Sequence, residues 1–344
     1  MSFLSTKTTE GSGLTVSHPV RCFLLNWFFR QEKNQLNLPS LLFCSLGESY
    51  EVNLMDAKRK KAIKVQFKKN LKEFVDPLIS HVSTENHQWT IKGFIDVYKN
   101  IYTISADTKI VSKVLEIHLF PKILEFAKEY SYNIVLADYQ NYYPDLSFVS
   151  MRDESIKFAV DLKTTYRLPN NTEFCNGFTL GSHGSYFINR TTRKNIQFPY
   201  AEYIGHFCLG IIYTRTDTGS IDETRIHSLS QLQSIASVIR DFKFFVCEKW
   251  EIASDSQGSG NTANIGSIVR IQDIINGNGV FKNLGEEWFD DYWMNYGKIM
   301  IKTPDGKQKK ITKLREFLRY KGKDINEINP YMRPTKHGKR EIDE

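Results

Sequence analysis

The chain has 344 residues, of which 41% are hydrophobic, 25% charged and 13% aromatic, a composition typical of a globular protein with a sizeable core. This composition excludes a collagen-like or wholly disordered chain, and no apolar run approaches the roughly 20 residues that a membrane span needs. Five widely spaced cysteines without a CxxC pair argue against a structural zinc site or a disulfide framework, and favour a reducing, cytoplasmic setting.

The net charge of +7 is unevenly distributed along the chain. Residues 55–72 hold eight Lys or Arg and one Asp, and residues 298–344 hold fourteen Lys or Arg and seven acidic residues, which leaves −7 elsewhere. Basic ends on a mildly acidic body suit a polyanionic partner, but solvated Lys-rich tails explain the charge as well. Charge alone therefore does not decide the function.

The N-terminal residues show no clear hydrophobic period, and Met55 is a candidate for the working start of the protein. We expect residues 1–70 to be a poorly ordered basic extension. Residues 71–323 are predicted to form the folded domain, and residues 324–344 a polar tail.

The domain begins with apolar residues at helical spacing over residues 71–82. Alternating apolar and polar residues at 89–105 then predict a strand hairpin. Asp107 or Thr108 can cap the next helix, which Pro121 should kink or divide.

Later elements are predicted from short apolar runs and from helical spacing. Strands are expected at residues 132–137, 145–150, 156–164, 207–214 and 242–246. Helices are expected at residues 200–210, 286–296 and 311–322, and residues 256–266 are predicted to be a loop. This mixture predicts an α/β (α+β) fold with a sheet at its centre.

The most informative segment is Tyr143-Pro144-Asp145, followed after fifteen residues by Asp161-Leu162-Lys163. Strand period two puts Asp161 and Lys163 on one face of a sheet, and Asp145 can lie beside Asp161 if the two strands form a hairpin. Adjacent carboxylates repel unless a hard cation lies between them, and Mg²⁺ is the natural candidate. A lysine beside that cation would offset developing negative charge, so the set predicts phosphodiester cleavage.

This PD…(D/E)xK pattern is short and degenerate, so a chance match is the main alternative. The site would then be a surface turn at Pro144 and an exposed ion pair between Asp161 and Lys163. Against this, the charged pair interrupts an apolar run, which costs stability unless the charges are partnered. Such a local cost is typical of a functional site.

Longer stretches carry a more specific resemblance. In order within about residues 72–323, they include Asp107-Thr108-Lys109 with Glu116, Gln140 to Asp145, Ala159 to Tyr166, Phe178 to Gly181, and Gly258 to Ile268. In these stretches the chain resembles the EcoRV family of type II restriction endonucleases, within the PD-(D/E)xK nuclease superfamily. The resemblance implies a restriction-endonuclease-like fold, in which helices flank a central mixed β-sheet.

The resemblance also implies roles for four acidic or basic side chains. Asp145 and Asp161 would be ligands of Mg²⁺, and Lys163 the catalytic lysine. Glu116 would be an auxiliary acidic residue that helps to place a metal ion. Without the resemblance, Glu116 is an ordinary helix glutamate, expected to face solvent.

The Gly258–Gly266 stretch has three interpretations. It lacks the spacing of a phosphate-cradling loop, and the choice is between a flexible linker and a base-reading loop. Glycines let the backbone approach base edges, Asn261 can pair with adenine, and the Thr262 methyl can contact a thymine methyl. The resemblance implies that Gly258, Ser259, Gly260, Asn261 and Thr262 read GATATC, whereas Ala263 departs from the family by losing a hydroxyl.

Further DNA contacts are expected elsewhere in the chain. Gln140 and Asn141 resemble the minor-groove loop of the family, although a simple turn would explain them too. Phosphate contacts, which position the protein without specifying sequence, are expected at Thr108, Thr165, Ser185 and Lys194.

Taken together, the resemblance implies a homodimer that cuts double-stranded DNA bluntly at the centre of palindromic GATATC, with a cognate DNA methyltransferase in the same cell. A palindrome calls for a two-fold symmetric protein, with dimer contacts expected at residues 89–104 and 222–235. Two alternatives stay open: a repair or junction-resolving nuclease on the same fold, and a non-catalytic DNA-binding protein.

Overall fold

A computed structural model describes residues 57–139, 141–216, 219, 222–258, 263–304, 306–333 and 341–342. The chain divides into two compact units, and the larger, Val52–Ala137 with Tyr142–Glu344, contains every element named below. Its helices are α1 (Ala57–Val75), α2 (Leu78–Val82), α3 (Thr108–Glu129), α4 (Ser185–Ile188), α5 (Ile271–Asn276), α6 (Glu286–Asn295) and α7 (Leu314–Tyr320). Its strands are β1 (Gly93–Ile95), β2 (Asn100–Thr103), β3 (Tyr132–Leu136), β4 (Leu146–Ser150), β5 (Lys157–Leu168), β6 (Asn171–Cys175), β7 (Thr179–Ser182), β8 (Tyr203–Arg215), β9 (Ile226–Ser228), β10 (Ile239–Glu248), β11 (Ala253–Gln257), β12 (Asn264–Ser267), β13 (Met300–Lys302), β14 (Gln308–Lys310), β15 (Met332–Arg333) and β16 (Glu341–Ile342).

A six-stranded sheet forms the centre of this unit, in the order β10-β8-β5-β4-β3, with β6 paired to β5. The β5–β8 pair is parallel, and the other pairs are antiparallel. Helices pack against the sheet, so the expectation of a central mixed sheet flanked by helices is confirmed.

Strand alternation divides the core between the two faces of this sheet. On β5, Phe158 and Val160 point into one apolar cluster, which contains residues of α1 and α3. Ala159 points into a second cluster, which contains residues of α6 and α7. Since side chains two apart share a face, Asp161 and Lys163 lie on the face of Ala159.

The folded unit begins earlier than predicted. Phe67 of α1 is 1% exposed, and its ring stacks on Phe158 at 4.0 Å between centroids. The boundary expected at residue 70 therefore lies inside a packed helix, and the expectation of a poorly ordered segment is wrong for residues 57–70. Residues 1–56, including Met55, lie outside the described residues.

The expected polar tail also packs on the domain at its start. The Asn329 side chain donates hydrogen bonds to the carbonyls of Asn278 and Gly279, at 2.8 and 3.2 Å. Residues 324–333 are therefore part of the folded unit rather than a tail.

One further local prediction is wrong, one is contradicted in part, and two are confirmed. Residues 200–210 are not a helix but a short 3-10 turn followed by β8, which is buried on both faces and so lacks alternation. Helix α3 continues through Pro121 rather than dividing. Its Asp107 cap is present, with the carboxylate accepting from two backbone amides, and the hairpin at 89–105 forms as β1 and β2. Within the described ranges, every helix is too short or too polar to span a lipid bilayer.

Candidate active site

Strand β5 carries the first part of the site. Asp161 is 5% exposed, and its Oδ2 lies 2.8 Å from Nζ of Lys163. The two side chains share one face of β5, as strand period two predicts. Burial disfavours the charged ammonium, but Asp161 and Asp145 outweigh this effect and raise the pKa of Lys163, which stays protonated.

Asp145, just before β4, is held beside Asp161 through the antiparallel pairing of β4 with β5. The Asp145 backbone N–H donates to Asp161 Oδ1 at 3.2 Å, and the Leu162 backbone N–H donates to Asp145 Oδ2 at 2.9 Å. Each carboxylate thus accepts a hydrogen bond from the other strand, so the two acids are fixed as neighbours. The expected hairpin arrangement is confirmed.

The electrostatics of this pair leave negative charge uncompensated. Burial and the neighbouring Asp161 together raise the pKa of Asp145 to about 7, although Lys163 opposes the shift. Two neighbouring carboxylates repel each other, so ionisation of both costs free energy unless a cation lies beside them.

Glu116 of α3 also contributes to this field, because its negative charge raises the pKa of Asp145. Its side chain is only 16% exposed and lies 3.0 Å from the Lys113 ammonium. The expectation of a solvent-facing glutamate is therefore wrong. The metal-placing role implied by the resemblance stays a prediction.

The donor set suits a hard divalent cation, although it is not a complete cage. Among the described residues, no three His, Cys, Asp or Glu side chains are grouped closely enough to hold a metal ion by themselves. Mg²⁺ is commonly bound by one or two carboxylates, with waters and substrate phosphates as the other ligands. Asp145 and Asp161 match that pattern, and their excess negative charge is the physical reason for a cation to bind there.

The expected phosphate contacts differ in their accessibility. Ser185 and Lys194 are exposed. Thr108 accepts a hydrogen bond from Arg215 at 2.6 Å, and the buried Thr165 hydroxyl donates to the Asn176 carbonyl. Contact of either threonine hydroxyl with DNA would require competition with these internal bonds. All four contacts stay predictions.

Only two of the residues expected to contact bases, Gly258 and Asn141, are among the described residues. Gly258 ends the β11 side of a hairpin, and its N–H donates to the Asn264 carbonyl at 2.9 Å. Ser259, Gly260, Asn261, Thr262 and Gln140 lie outside the described residues. Asn141 is exposed and belongs to the smaller unit of the chain, and its role stays a prediction.

Sequence reasoning missed one buried charged residue near the site, Lys249. It follows β10 in the run Glu248-Lys249-Trp250-Glu251, whose charges are typical of an exposed turn. The structure buries it to 3% exposure, and among its charged neighbours Asp161 acts on it most strongly. No local pattern predicts this, because the burial comes from rings far away in the sequence.

Comparison with known proteins identifies a family. The restriction endonuclease EcoRV family matches residues 85–322. The chain is also 34% identical over 247 residues to the type II restriction enzyme EcoRV of Escherichia coli, a match that covers 72% of this chain and 97% of that enzyme.

Proposed function

Because the chain belongs to the EcoRV restriction endonuclease family, we propose that it is a Mg²⁺-dependent type II endonuclease that cuts double-stranded DNA at GATATC and leaves blunt ends. Family membership makes the protein a restriction endodeoxyribonuclease, which acts on DNA. The cofactor, the sequence and the cut position are parts of the proposal. The observation that carries it is the cluster of Asp145, Asp161 and Lys163.

The groups of this cluster suit hydrolysis of a phosphodiester. The Lys163 ammonium, held 2.8 Å from Asp161, supplies positive charge where negative charge develops on the phosphate oxygens. Asp145 and Asp161 offer oxygen ligands at fixed spacing. A bound Mg²⁺ would lower the pKa of a water and offset charge on the leaving oxygen.

Support for the sequence GATATC comes from the segment that resembles the family. Strands β11 and β12 are antiparallel, so residues 258–263 connect the two strands of a hairpin. In this segment Asn261 offers an amide suited to an adenine edge, and Thr262 a methyl suited to thymine. The amides of Gln140 and Asn141 suit the minor groove, where shape matters more than hydrogen-bond pattern.

We also propose that the protein is a homodimer, because a palindromic site is matched by two-fold symmetry. The small sheet β1-β2-β9 exposes a row of large apolar side chains on one face, Phe94, Tyr102 and Ile226, which lie opposite one another in the strand register. An exposed apolar patch is typical of a protein interface. We expect Phe94→Glu to shift the protein from dimer to monomer in analytical ultracentrifugation, and an unchanged sedimentation coefficient would contradict this interface.

One experiment tests reaction, site and cut position together. Plasmid DNA is incubated with the protein and Mg²⁺, and the fragment ends are sequenced. We expect discrete fragments with blunt ends at the centre of GATATC, and none when EDTA replaces Mg²⁺. A smear, or cutting restricted to branched DNA, would favour a repair or junction nuclease. Binding without cutting at any Mg²⁺ concentration would favour a non-catalytic protein.

A nuclease of this specificity would also cut unprotected host DNA. We therefore propose a cognate DNA methyltransferase as a functional partner rather than as a subunit. Methylated GATATC sites should resist cutting in the same plasmid assay.

A further inference from the structure

Lys249 is a buried cation without a hydrogen-bond acceptor among the described residues. It begins the 3-10 turn Lys249–Ile252, which follows β10, and it is 3% exposed. No described atom is a hydrogen-bond partner of its Nζ. An ammonium group buried in this way loses its hydration without a matching gain, so it destabilises the folded state.

Three aromatic rings, the aromatic cage of Tyr143, Phe187 and Tyr200, surround this ammonium group. Its Nζ lies 5.2 Å from the ring centroids of Tyr143 and Phe187, and 5.8 Å from that of Tyr200. Ring faces attract a cation, but they replace only part of its hydration energy. A Cβ atom at Gly181 would lie 3.4 Å from Nζ, so the glycine leaves room for the cage to close.

The cage connects directly to the turn that carries Asp145. Tyr143 lies two residues before Asp145, and its ring stacks on Tyr186 at 5.3 Å. Its hydroxyl is 2.9 Å from Nδ1 of His206. Burial lowers the pKa of His206 well below its usual value, and the positive charge of Lys249 adds to this, so the imidazole is neutral.

Asp161 is the acidic group that acts most strongly on Lys249. Burial lowers the pKa of Lys249 to about 8, and the attraction of Asp161 opposes that shift. Lys163 is the cation in direct contact with Asp161. Lys249 is therefore a second positive charge near Asp161, held by rings instead of by an ion pair.

We propose that Lys249 is a positioning residue of the nuclease site, whose caged ammonium group holds Tyr143, and with it the turn that carries Asp145, in place. The inference rests on the proposed nuclease function. Stability and turnover should therefore change in opposite directions. Removal of the Lys249 charge should leave the fold equally or more stable and at the same time slow the reaction. A purely structural residue would lower stability and leave turnover per folded molecule unchanged.

Lys249→Met in the full chain tests this proposal, because methionine keeps the length and the aromatic contacts but removes the charge. Three quantities are compared with wild type: the melting temperature without DNA, the affinity for GATATC DNA in Ca²⁺, and the single-turnover cleavage rate at saturating Mg²⁺. We expect an equal or higher melting temperature, unchanged DNA affinity, and a cleavage rate lowered about tenfold or more.

Lys157→Met is the matched control. Lys157 lies on β5, is also largely buried, and pairs with Glu202 at 3.1 Å, so its removal should lower the melting temperature and leave the cleavage rate unchanged. A lower melting temperature with an unchanged cleavage rate for Lys249→Met would overturn the proposal. An equal loss of DNA affinity and cleavage would overturn it too, by assigning Lys249 to binding. If wild type itself does not cut, the proposed function fails first, whereas an active wild type with an unchanged variant rejects only the role of Lys249.

Discussion

Lysines of two kinds lie at the segment of residues 248–251: a half-buried group with acidic partners, and the buried Lys249 without one. In the first group, the lysine–glutamate network, Lys64 of α1 lies 2.7 Å from both Glu248 and Glu286, and Lys68 lies 2.5 Å from Glu251. In the second, Lys249 has rings around it and no described acceptor.

The pKa values of the two lysines show the consequence. Burial alone would lower the pKa of Lys64, but Glu286 and Glu248 outweigh it, and the net shift is upward. Burial lowers the pKa of Lys249 to about 8, because Asp161 compensates only in part. Compensated charges attach α1 to the domain, whereas Asp145 and Lys249, whose charges are only partly compensated, lie near Asp161, where the chemistry is proposed.

The largest expected effect is on cleavage, and it comes from a substitution in the carboxylate pair. Asp161→Asn keeps the shape of the side chain but removes one carboxylate of the pair, so repulsion with Asp145 falls and cation binding weakens. We expect cleavage to fall about 10³-fold in a plasmid assay. The melting temperature should also fall, because Lys163 loses its ion-pair partner. Cleavage at the wild-type rate would contradict the assignment of Asp161 to the site.

A substitution in the lysine–glutamate network should change stability rather than cleavage. Glu248→Gln removes the carboxylate shared by Lys64 and Lys68, so the free energy of unfolding in urea should fall by about 2 kcal/mol. Cleavage per folded molecule should not change.

The control for this variant is Lys69→Ala on α1, the helix that carries Lys64 and Lys68. Lys69 and Glu73 are exposed and 3.8 Å apart, so its loss should cost less than about 0.5 kcal/mol. Equal effects of the two substitutions would mean that burial does not distinguish the network from an ordinary surface pair.

The smallest expected effect is a pH dependence. The pKa of Lys249 is lower in the folded protein than in the unfolded chain, so the unfolded chain binds more protons above pH 8, and stability rises with pH through that window. The stability gain of Lys249→Met should therefore be full below pH 8 and shrink as the pH rises toward 10. To measure this gain, the free energies of unfolding in urea of variant and wild type are compared at pH 7 and at pH 9.5.

Other charges around Lys249 are common to both proteins and largely cancel in that difference. The charged or titratable groups nearby are Asp161, Cys208, Lys163, Asp290, Tyr143, Tyr200 and His206. A gain that is constant with pH would mean that folding does not lower the pKa of Lys249.

Local patterns predicted a large part of the fold and the centre of the site. Asp161 and Lys163 could be placed together because alternation along one strand depends only on neighbouring residues. The Asp107 cap and the β1–β2 hairpin were predictable for the same reason, since caps and hairpins form between residues a few positions apart.

Predictions that depended on distant contacts were wrong or absent. β8 was predicted as a helix in its first part because a strand covered on both faces shows a continuous apolar run. Helix α1 looked like a basic extension because its lysines are compensated by Glu248, Glu251 and Glu286, about 180 to 220 positions away.

The sequence by itself determined the types and spacing of the reacting groups, and through period two it determined that Asp161 and Lys163 share a face. Only the tertiary structure decided which charges are compensated. Burial and ion pairing depend on which distant segments meet, so Lys64 and Lys249, both lysines in the printed sequence, acquire opposite roles only when α1, β8 and the segment after β10 pack around them.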